Sequence, residues 1–378
     1  MPQDDPPALS AALLPPGVRS RFVDGVNGLR MHLLEAGTPG RPVLLLLHGF
    51  PELAYSWRRV MPALAAAGWH VLAPDQRGYG RTTGWDGRYD GDWQTFGMRD
   101  LACDAQALLA ALGLRNVAAV VGHDFGAPVA AWCALLWPDV FQRLVLMSAP
   151  FAGPPPVPAP GAAKATPDIH QALAALPRPR KHYQWHYASR SAEADLLQAP
   201  QGLHALLRAY YHHKSADWPG NQPFALSGWT AEQLALMPTY YVMDAALGMA
   251  ATVAAEMPTP AQIAACRWLP DAELAVYAAE YQRSGFQGGL NWYRCNIDAR
   301  LQAGLQQYAG QRIAVPSLYI AGRSDWGTHQ KPGAYAAMAT RGCARLHGSH
   351  LVDGAGHWVQ QEQPEAVTAL LLDFLRGS

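Results

Sequence analysis

Short apolar runs alternate with longer segments of helical periodicity over the first 150 residues of the chain. Residues 57–68 and 98–113 have helical spacing, and Gly113 is placed to end the second of these helices. Asn27-Gly28 separates two runs that predict an antiparallel pair. Alternation of this kind predicts βαβ units and a mostly parallel sheet. Four runs have the length and composition of buried strands, namely VLLLLHG (43–49), HVLAPD (70–75), NVAAVVG (116–122) and RLVLMSA (143–149).

The pattern changes at the proline-rich stretch 150–161, which can continue neither a helix nor a sheet. From there to about residue 298 the periodicity is helical, with one helix expected to start near Asp271. A strand pattern returns at PSLYIAG (316–322), and PEAVTALLLDFLRG (364–377) predicts a final helix. The simplest layout is a sheet domain, residues 1–150 and 299–378, interrupted by a helical domain, residues 151–298.

Composition narrows the class of protein. The chain has 378 residues, half of them hydrophobic, and 29 acidic and 29 basic side chains, so we expect neither a nucleic acid nor an anionic membrane as partner. The amino terminus lacks the basic and apolar regions of a signal peptide, and no run approaches the roughly 18 apolar residues of a membrane span. Five scattered cysteines, never spaced as CxxC, indicate reduced thiols. We therefore expect a globular cytoplasmic protein.

The candidate chemistry begins at GHDFG (122–126), between an apolar run and a helix-like segment. This spacing of small residues is typical of a sharp strand-to-helix turn that presents a nucleophile, in most such enzymes a serine. Asp124 occupies that position here. A carboxylate attacking a carbonyl carbon would give a poor anhydride, whereas at a saturated carbon with a leaving group it gives an ordinary ester. With a reference pKa of about 3.9, an aspartate needs no base for that attack.

An ester on Asp124 must then be cleaved by water, which calls for a histidine base and an acid that orients it. His357, directly before the final helix, is placed as the base in the order nucleophile, acid, base. Asp325, just beyond the last predicted strand, is the predicted acid, because the segment after the preceding strand contains no carboxylate. Asp298 and Asp353 are the alternatives.

Formation of the ester and its hydrolysis both need further hydrogen-bond or proton donors. The backbone N–H groups of Phe50, after the turn at Gly49, and of Phe125, at the start of a helix, are candidates to stabilise the oxyanion of ester hydrolysis. The leaving group separates two reactions. A halide leaves without a proton, whereas the alkoxide of an opening epoxide needs an acid such as tyrosine, with a pKa of about 10.

Several motifs together resemble the α/β-hydrolase-fold epoxide hydrolases over nearly the whole chain. They are HGFPE (48–52) with SWR (56–58), DQRGYGRT (75–82), GHDFGA (122–127), SGFQGGLNWYR (284–294) and GHWVQQEQPE (356–365), in the family's order. The resemblance implies an α/β-hydrolase fold, with an eight-stranded, mostly parallel sheet flanked by helices and an inserted helical cap. It also implies hydrolysis of a small-molecule epoxide to a vicinal diol, with no metal or organic cofactor. Mammalian relatives carry an extra amino-terminal phosphatase domain, which we do not expect here, because about twenty residues precede the first predicted strand.

The resemblance further implies that two cap tyrosines hold and protonate the epoxide oxygen. Tyr293 matches one of them, in the LNWYR segment. Tyr183, followed by Gln184, is the best match for the other, with Tyr187 as the alternative, because WHYASRS departs from the family's Phe-Gln-x-Pro-Gly run. A cis peptide at Phe50-Pro51 is implied as well.

Other residues carry weaker hypotheses. Trp57, Trp292 and Trp326 are predicted to line an apolar pocket, with an apolar or aromatic epoxide as substrate. Gln184 is predicted to contribute to substrate binding. His182 and His186 have i,i+4 spacing, which does not indicate a metal site without a third ligand. A dehalogenase would use the same aspartate, histidine and acid, but Phe125 offers no side-chain donor to a halide. A non-enzymatic ligand-binding relative, the second alternative, would be expected to lack one of these residues.

Overall fold

The predicted strands are all present, with ends within about three residues of the apolar runs. In this computed structural model, which describes residues 6–158 and 168–377, the strands are β1 (Val18–Val26), β2 (Leu29–Ala36), β3 (Val43–Leu47), β4 (His70–Pro74), β5 (Ala119–His123), β6 (Leu144–Met147), β7 (Arg180–His182), β8 (Val242–Asp244), β9 (Ile313–Gly322) and β10 (Cys343–Val352).

Eight of these strands form one sheet in the order β1-β2-β4-β3-β5-β6-β9-β10. The pairs β1·β2 and β2·β4 are antiparallel, and the other five pairs are parallel. Every residue of β3, β4 and β5 is buried, as expected of parallel strands whose two faces are both covered. The predicted α/β class with an eight-stranded, mostly parallel sheet is thus confirmed.

Helices account for most of the remaining regular structure. The α-helices are α1 (Met61–Ala66), α2 (Met98–Ala111), α3 (Gly126–Leu136), α4 (Ile169–Ala174), α5 (Tyr183–Tyr187), α6 (Ala192–Leu197), α7 (Leu203–Lys214), α8 (Ala231–Leu234), α9 (Met249–Ala254), α10 (Pro260–Ala265), α11 (Asp271–Ser284), α12 (Gln287–Ile297), α13 (Ala299–Leu305), α14 (Ala334–Ala337), α15 (Val359–Glu362) and α16 (Pro364–Arg376). Short 3-10 helices lie at Ala11–Leu13, Ala54–Trp57, Trp93–Phe96, Gln306–Tyr308 and Trp326–Thr328, and a π-helix at Met338–Gly342.

Alternate residues of the central strands pack into two separate hydrophobic clusters. Leu45 and Leu47 of β3 belong to the cluster that also contains side chains of α2, α3 and the helices between β6 and β9. Leu44 and Leu46 belong to the cluster that contains side chains of α1 and α16. Burying one such leucine contributes about 1.5–3 kcal/mol. The layered core therefore fixes the carboxyl ends of β5, β6 and β9 relative to one another.

Residues 168–298, called the cap segment here, lie between β6 and β9 and contain α4 to α12 and the antiparallel pair of β7 and β8. We propose that they form the cap domain expected at 151–298, and that the chain on either side forms the expected sheet domain. Of the proline-rich stretch, residues 150–158 contain neither helix nor strand, and the remainder lies outside the described residues. Among the described helices, none is both long enough and apolar enough to cross a membrane.

The strand β10 has no counterpart among the predicted strands. Its sequence, CARLHGSHLV, is largely polar, and most of its side chains are exposed or half-buried. The reason is its position at the edge of the sheet, where it pairs with β9 alone. An edge strand of this kind does not need an apolar run, so hydrophobic patterning cannot find it.

Candidate active site

Asp124 lies at a sharp turn between β5 and α3. Its φ is +51°, a left-handed conformation that is uncommon for a residue with a side chain and that concentrates at functional turns. The backbone is closely packed here, because a Cβ on Gly122 would lie 2.1 Å from the carbonyl oxygen of Gly126. On the opposite side, a Cβ on Gly49 would lie 2.3 Å from the Cβ of Asp124. The GHDFG segment therefore forms the predicted strand-to-helix turn, with the carboxylate at its apex.

The Asp124 carboxylate is buried and oriented at both oxygens. The Phe50 N–H donates to Oδ1 at 2.9 Å, and Oδ2 lies 3.3 Å from Nε2 of His357. Burial by itself would raise the pKa of Asp124, but the adjacent His357, together with the charges of Lys214 and His123, holds that pKa below its usual range. The carboxylate is therefore ionised at neutral pH, as attack on carbon requires.

The two predicted oxyanion donors differ in placement. Phe50 faces the carboxylate directly through its N–H, and the expected cis peptide at Phe50-Pro51 is present. Phe125 stands at the start of α3, where N–H groups have no intrahelical partner, and its ring packs on that of Tyr293 with centroids 4.8 Å apart. The contribution of the Phe125 N–H to oxyanion binding stays a prediction.

His357 is held on the side away from Asp124 by the predicted acid. Its Nδ1 lies 3.0 Å from Oδ1 of Asp325, and the same oxygen accepts the Gly327 N–H at 2.7 Å. Burial opposes ionisation of Asp325, but the charge and hydrogen bond of His357 lower the pKa of its carboxyl. A carboxylate at Nδ1 keeps the proton on that nitrogen and leaves Nε2, which faces Asp124, able to accept one.

The alternative acids lie elsewhere. Asp298 caps the start of α13 by accepting the N–H groups of Arg300 and Leu301, and Asp353 forms an exposed ion pair with Arg323. The structure therefore brings Asp325, and neither alternative, to His357.

A second network of buried hydrogen bonds supports the turn at Asp124 and the backbone of His357. Glu52 and His123 are both fully buried, and His123 donates from Nδ1 to Glu52 at 2.5 Å and from Nε2 to the carbonyl oxygen of His357 at 2.7 Å. Burial would lower the pKa of His123, but the charge of Glu52 raises it to about 9. The side chains of Gln360 and Gln361 also donate to Glu52, at 2.9 and 3.1 Å. His123 is thus a cationic support for the turn and the base rather than a second base.

The predicted cap tyrosines lie close together. Tyr183 begins α5, and its hydroxyl donates to Gln330 at 3.1 Å and accepts from the Gln184 side chain at 3.3 Å. Tyr293, in α12, packs with its ring centroid 5.7 Å from that of Tyr183 and 5.3 Å from that of Phe50. Burial raises the pKa of Tyr183 and of Tyr293 well above its usual value, so both hydroxyls are proton donors at neutral pH.

Tyr187, the alternative to Tyr183, has a different environment. It is fully buried, with its ring against those of Tyr293 and Phe50 at 5.0 and 5.1 Å. Of the three tyrosines, Tyr183 alone belongs to the wall of the cavity that contains Asp124, and Tyr187 and Tyr293 pack behind it. The placement favours Tyr183 as the first cap tyrosine.

A cavity of about 340 Å³ opens from Asp124, a size suited to a small organic molecule. Its wall combines aromatic and apolar side chains with the polar groups of Gln184, Asn296 and Gln330 and with Lys331. The wall is therefore more polar than the apolar pocket expected from the sequence.

Three tryptophans require a correction. Trp57 is fully buried in the cluster that contains Leu44, whereas Tyr183 belongs to the other cluster. Trp292 donates its Nε1–H to the Arg77 carbonyl oxygen and packs inside the protein. Trp326 is buried as well, and none of these three lines the cavity, where Trp229 lies instead. Hydrophobic character alone could not distinguish a tryptophan of the core from one of the cavity wall.

The histidines with i,i+4 spacing do not converge. His182 faces the cavity, and burial lowers its pKa to about 3, while His186 pairs with Asp195 at 2.8 Å. In residues 6–158 and 168–377, no group of three or more His, Cys, Asp or Glu side chains is placed to hold a metal ion.

Known proteins share this architecture. The model of the alpha/beta hydrolase fold family matches residues 42–175. Epoxide hydrolase A from Mycobacterium tuberculosis is 37% identical over 370 residues, covering 94% of this chain and 97% of its own length. The chain belongs to the α/β-hydrolase-fold epoxide hydrolases.

Solved structures of epoxide hydrolases agree with this assignment. An epoxide hydrolase from an endophytic Streptomyces has a TM-score of 0.77 at 33% identity, with 96% of each chain covered. Epoxide hydrolase A from Mycobacterium thermoresistibile has a TM-score of 0.73 at 34% identity, covering 95% of this chain and 98% of its own. The predicted fold and the predicted family are therefore both confirmed.

Three polar residues of this epoxide hydrolase site were not identified from the sequence. Ser148 has a φ of +69° and places Oγ 3.0 Å from Nδ1 of His357. Gln330 accepts the Tyr183 hydroxyl, and Glu52 pairs with His123. Ser148 directly follows β6, and a polar residue at the carboxyl end of a parallel strand was the one available signal.

Proposed function

We propose that this chain hydrolyses epoxides to vicinal diols through a covalent ester on Asp124. The observation that carries the proposal is an ionised, buried carboxylate in the wall of a cavity that also contains the Tyr183 hydroxyl, with His357 3.3 Å away and Asp325 behind it. This arrangement supplies a nucleophile, an acid for the leaving oxygen and an oriented base.

In the first half-reaction, Oδ2 of Asp124 attacks a carbon of the epoxide ring. Oδ1 is engaged by the Phe50 N–H, which leaves Oδ2 available. The ester C–O bond forms as the ring C–O bond breaks, and the ring oxygen becomes an alkoxide that takes a proton from a tyrosine. Tyr183 and Tyr293 both hydrogen-bond to that oxygen, and their raised pKa values keep both protonated until the ring opens.

In the second half-reaction, Nε2 of His357 takes a proton from a water molecule whose oxygen attacks the carbonyl carbon of the ester. Asp325 stabilises the imidazolium that results. The oxyanion of the tetrahedral intermediate forms at Oδ1, where the Phe50 N–H already points, and the Phe125 N–H is the second proposed donor. The ester C–O bond then breaks, the leaving alkoxide takes the remaining proton of the attacking water to give the diol, and the Asp124 carboxylate is restored. The proton on His357 returns to the tyrosinate.

Neither alternative, the dehalogenase or the non-enzymatic ligand-binding protein, has an observation in its favour. Relatives that cover most of the chain are epoxide hydrolases, and Phe125 contributes a ring where a halide would need a donor. A ligand-binding protein without activity would be expected to lack one of the residues needed for the two half-reactions, and all are present. The cytoplasmic location and the aromatic character of the substrate stay predictions, and the polar cavity wall argues against a purely apolar substrate.

The proposal is tested by diol formation from styrene oxide with the wild-type protein and with Asp124→Ala. We expect the substitution to lower kcat by roughly 10³-fold or more, because both half-reactions pass through this side chain. Asp353→Asn, at an exposed aspartate paired with Arg323, is the matched control and should retain wild-type turnover. Turnover by Asp124→Ala near the wild-type value would contradict the proposal.

A further inference from the structure

Glu362, at the end of α15, is an acceptor for three backbone amides. Oε2 accepts the N–H groups of Ala216 at 2.8 Å and of Gly356 at 2.9 Å, and Oε1 accepts that of Trp358 at 2.9 Å. Gly356 and Trp358 are the residues on either side of His357. One carboxyl group therefore fixes the backbone immediately before and immediately after the base.

The remaining amide of this loop is held by the cap segment. The N–H of His357 itself donates to the carbonyl oxygen of Lys214 at 2.9 Å. The loop also packs tightly on the cap segment, since a Cβ on Gly356 would lie 2.5 Å from the carbonyl carbon of Ser215. Because Ala216 donates to Glu362, the carboxyl group holds both the loop and the cap backbone that the loop rests on.

The nucleophile depends on this support only indirectly, through the 3.3 Å contact of Oδ2 of Asp124 with His357. The backbone of Asp124 is fixed by its own turn after β5 and Oδ1 by the Phe50 N–H, whereas the hydrogen bonds of Glu362 in the described part of the chain go to Ala216, Gly356 and Trp358. His357, by contrast, must reach Asp124 at 3.3 Å and Asp325 at 3.0 Å at the same time. A displacement of about 1 Å at a reacting group can cost about 10²-fold in rate.

We propose that Glu362 is a positioning residue for the base, which holds His357 where it can activate water while leaving the attack of Asp124 unaffected. The proposal rests on the proposed function, because it assigns Glu362 to the second of the two half-reactions. We expect Glu362 substitutions to change the ratio of two rate constants, that of ester formation and that of ester hydrolysis. A merely structural residue would lower the amount of folded protein and leave that ratio unchanged.

Glutamine is the informative replacement. Burial raises the pKa of Glu362 to about 8, against the lowering effect of its three amide partners. The neutral and the ionised carboxyl group both present oxygen atoms to all three amides. A glutamine side chain has nearly the same shape but presents an NH2 group to at least one of them, so one donor faces another.

The experiment is a single turnover of styrene oxide with excess enzyme, stopped by acid at set times, with the ester on the intact protein followed by mass spectrometry. For Glu362→Gln we expect the rate constant of ester formation within about twofold of wild type and that of ester hydrolysis lowered roughly tenfold or more, so that the ester accumulates. Glu365→Gln, at an exposed glutamate in the first turn of α16, is the control and should match wild type.

Two results would overturn the proposal. Glu362→Gln could show the wild-type ratio of the rate constants of ester formation and ester hydrolysis, whether both keep their wild-type values or fall in parallel. If Glu362→Gln is not recovered as folded protein, Glu362→Asp takes its place, because its shorter carboxylate cannot reach all three amides, and a wild-type ratio in that variant would decide against positioning. Absence of the ester in the wild-type protein would contradict the proposed function itself.

Discussion

The site residues that lie outside residues 168–298, called the sheet side here, and those within residues 168–298, called the cap side, are held in place in different ways. On the sheet side, buried carboxylates are surrounded by hydrogen-bond donors, and Glu52 receives bonds from His123 and Gln361 among others. On the cap side, Tyr293 is held by ring packing, with the ring of Phe125 4.8 Å away, and Tyr183 combines ring packing with hydrogen bonds to neutral glutamines. The charge of the functional groups explains this difference. A buried carboxylate is costly unless donors surround it, whereas a neutral phenol can be fixed through its ring and keep its hydroxyl for a substrate.

The contrast predicts how each side responds to the loss of a polar group. Loss of a partner on the sheet side leaves a buried charge uncompensated, so the protein should lose stability. Loss of a hydroxyl on the cap side leaves the packing intact, so the protein should lose rate and little else. The predictions below test this division, from the largest expected free-energy change to the smallest.

Glu52→Gln should lower the free energy of unfolding by about 3–5 kcal/mol, because it removes the partner of a fully buried cationic histidine. Urea unfolding followed by circular dichroism measures the change. Asp353→Asn breaks an ion pair whose aspartate is exposed and should cost less than about 1 kcal/mol. A loss below about 1 kcal/mol for Glu52→Gln would show that the sheet-side network is not held together by charge pairing.

Tyr183→Phe and Tyr293→Phe should each slow ester formation by roughly 10²-fold, because each removes a donor to the ring oxygen. The unfolding free energy of Tyr293→Phe should stay within about 1 kcal/mol of wild type, since the ring remains. Tyr183→Phe also loses the hydrogen bonds with Gln330 and Gln184 and should cost about 1–2 kcal/mol. Rapid-quench kinetics with styrene oxide gives the rate constant. Tyr187→Phe, at the fully buried tyrosine that is the alternative to Tyr183, is the control. Equal effects from Tyr187→Phe and Tyr183→Phe would reopen the choice between these two tyrosines.

Ester formation should be independent of pH between about 5 and 8. The lowered pKa of Asp124 means that this carboxyl has lost its proton well below that window, and the raised pKa values of Tyr183 and Tyr293 mean that the hydroxyls keep theirs above it. The rate constant of ester formation, measured in single turnovers across the window, checks this. A tenfold change per pH unit within it would show that one of the three groups titrates there.

The residues that sequence could predict are those fixed by local structure. Asp124 follows a strand at a turn bounded by Gly122 and Gly126, so its spacing is visible in the chain. His357 and Asp325 follow from the chemistry that an ester on Asp124 requires, and the structure brings all three together.

The residues that sequence could not predict depend on distant partners. Glu52 and His123 are 71 positions apart, and the pairing of β3 with β5 brings their segments together. Gln330 meets Tyr183 across 147 positions. Trp57 was misplaced for the related reason that an apolar side chain on either face of a sheet gives the same pattern. The pattern of hydrophobic residues thus locates helices, strands and turns, but it does not determine which of their faces pack together.

The central claim is that water attacks an ester of Asp124 and not the epoxide. The most direct measurement is a single turnover of styrene oxide with excess enzyme in ¹⁸O-labelled water, followed by mass analysis of the diol and of the peptide that contains Asp124. The account predicts an unlabelled diol and one ¹⁸O atom in the Asp124 peptide, because the carboxylate oxygen leaves with the product and water replaces it. A labelled diol with an unlabelled Asp124 peptide would mean direct attack by water and would contradict it.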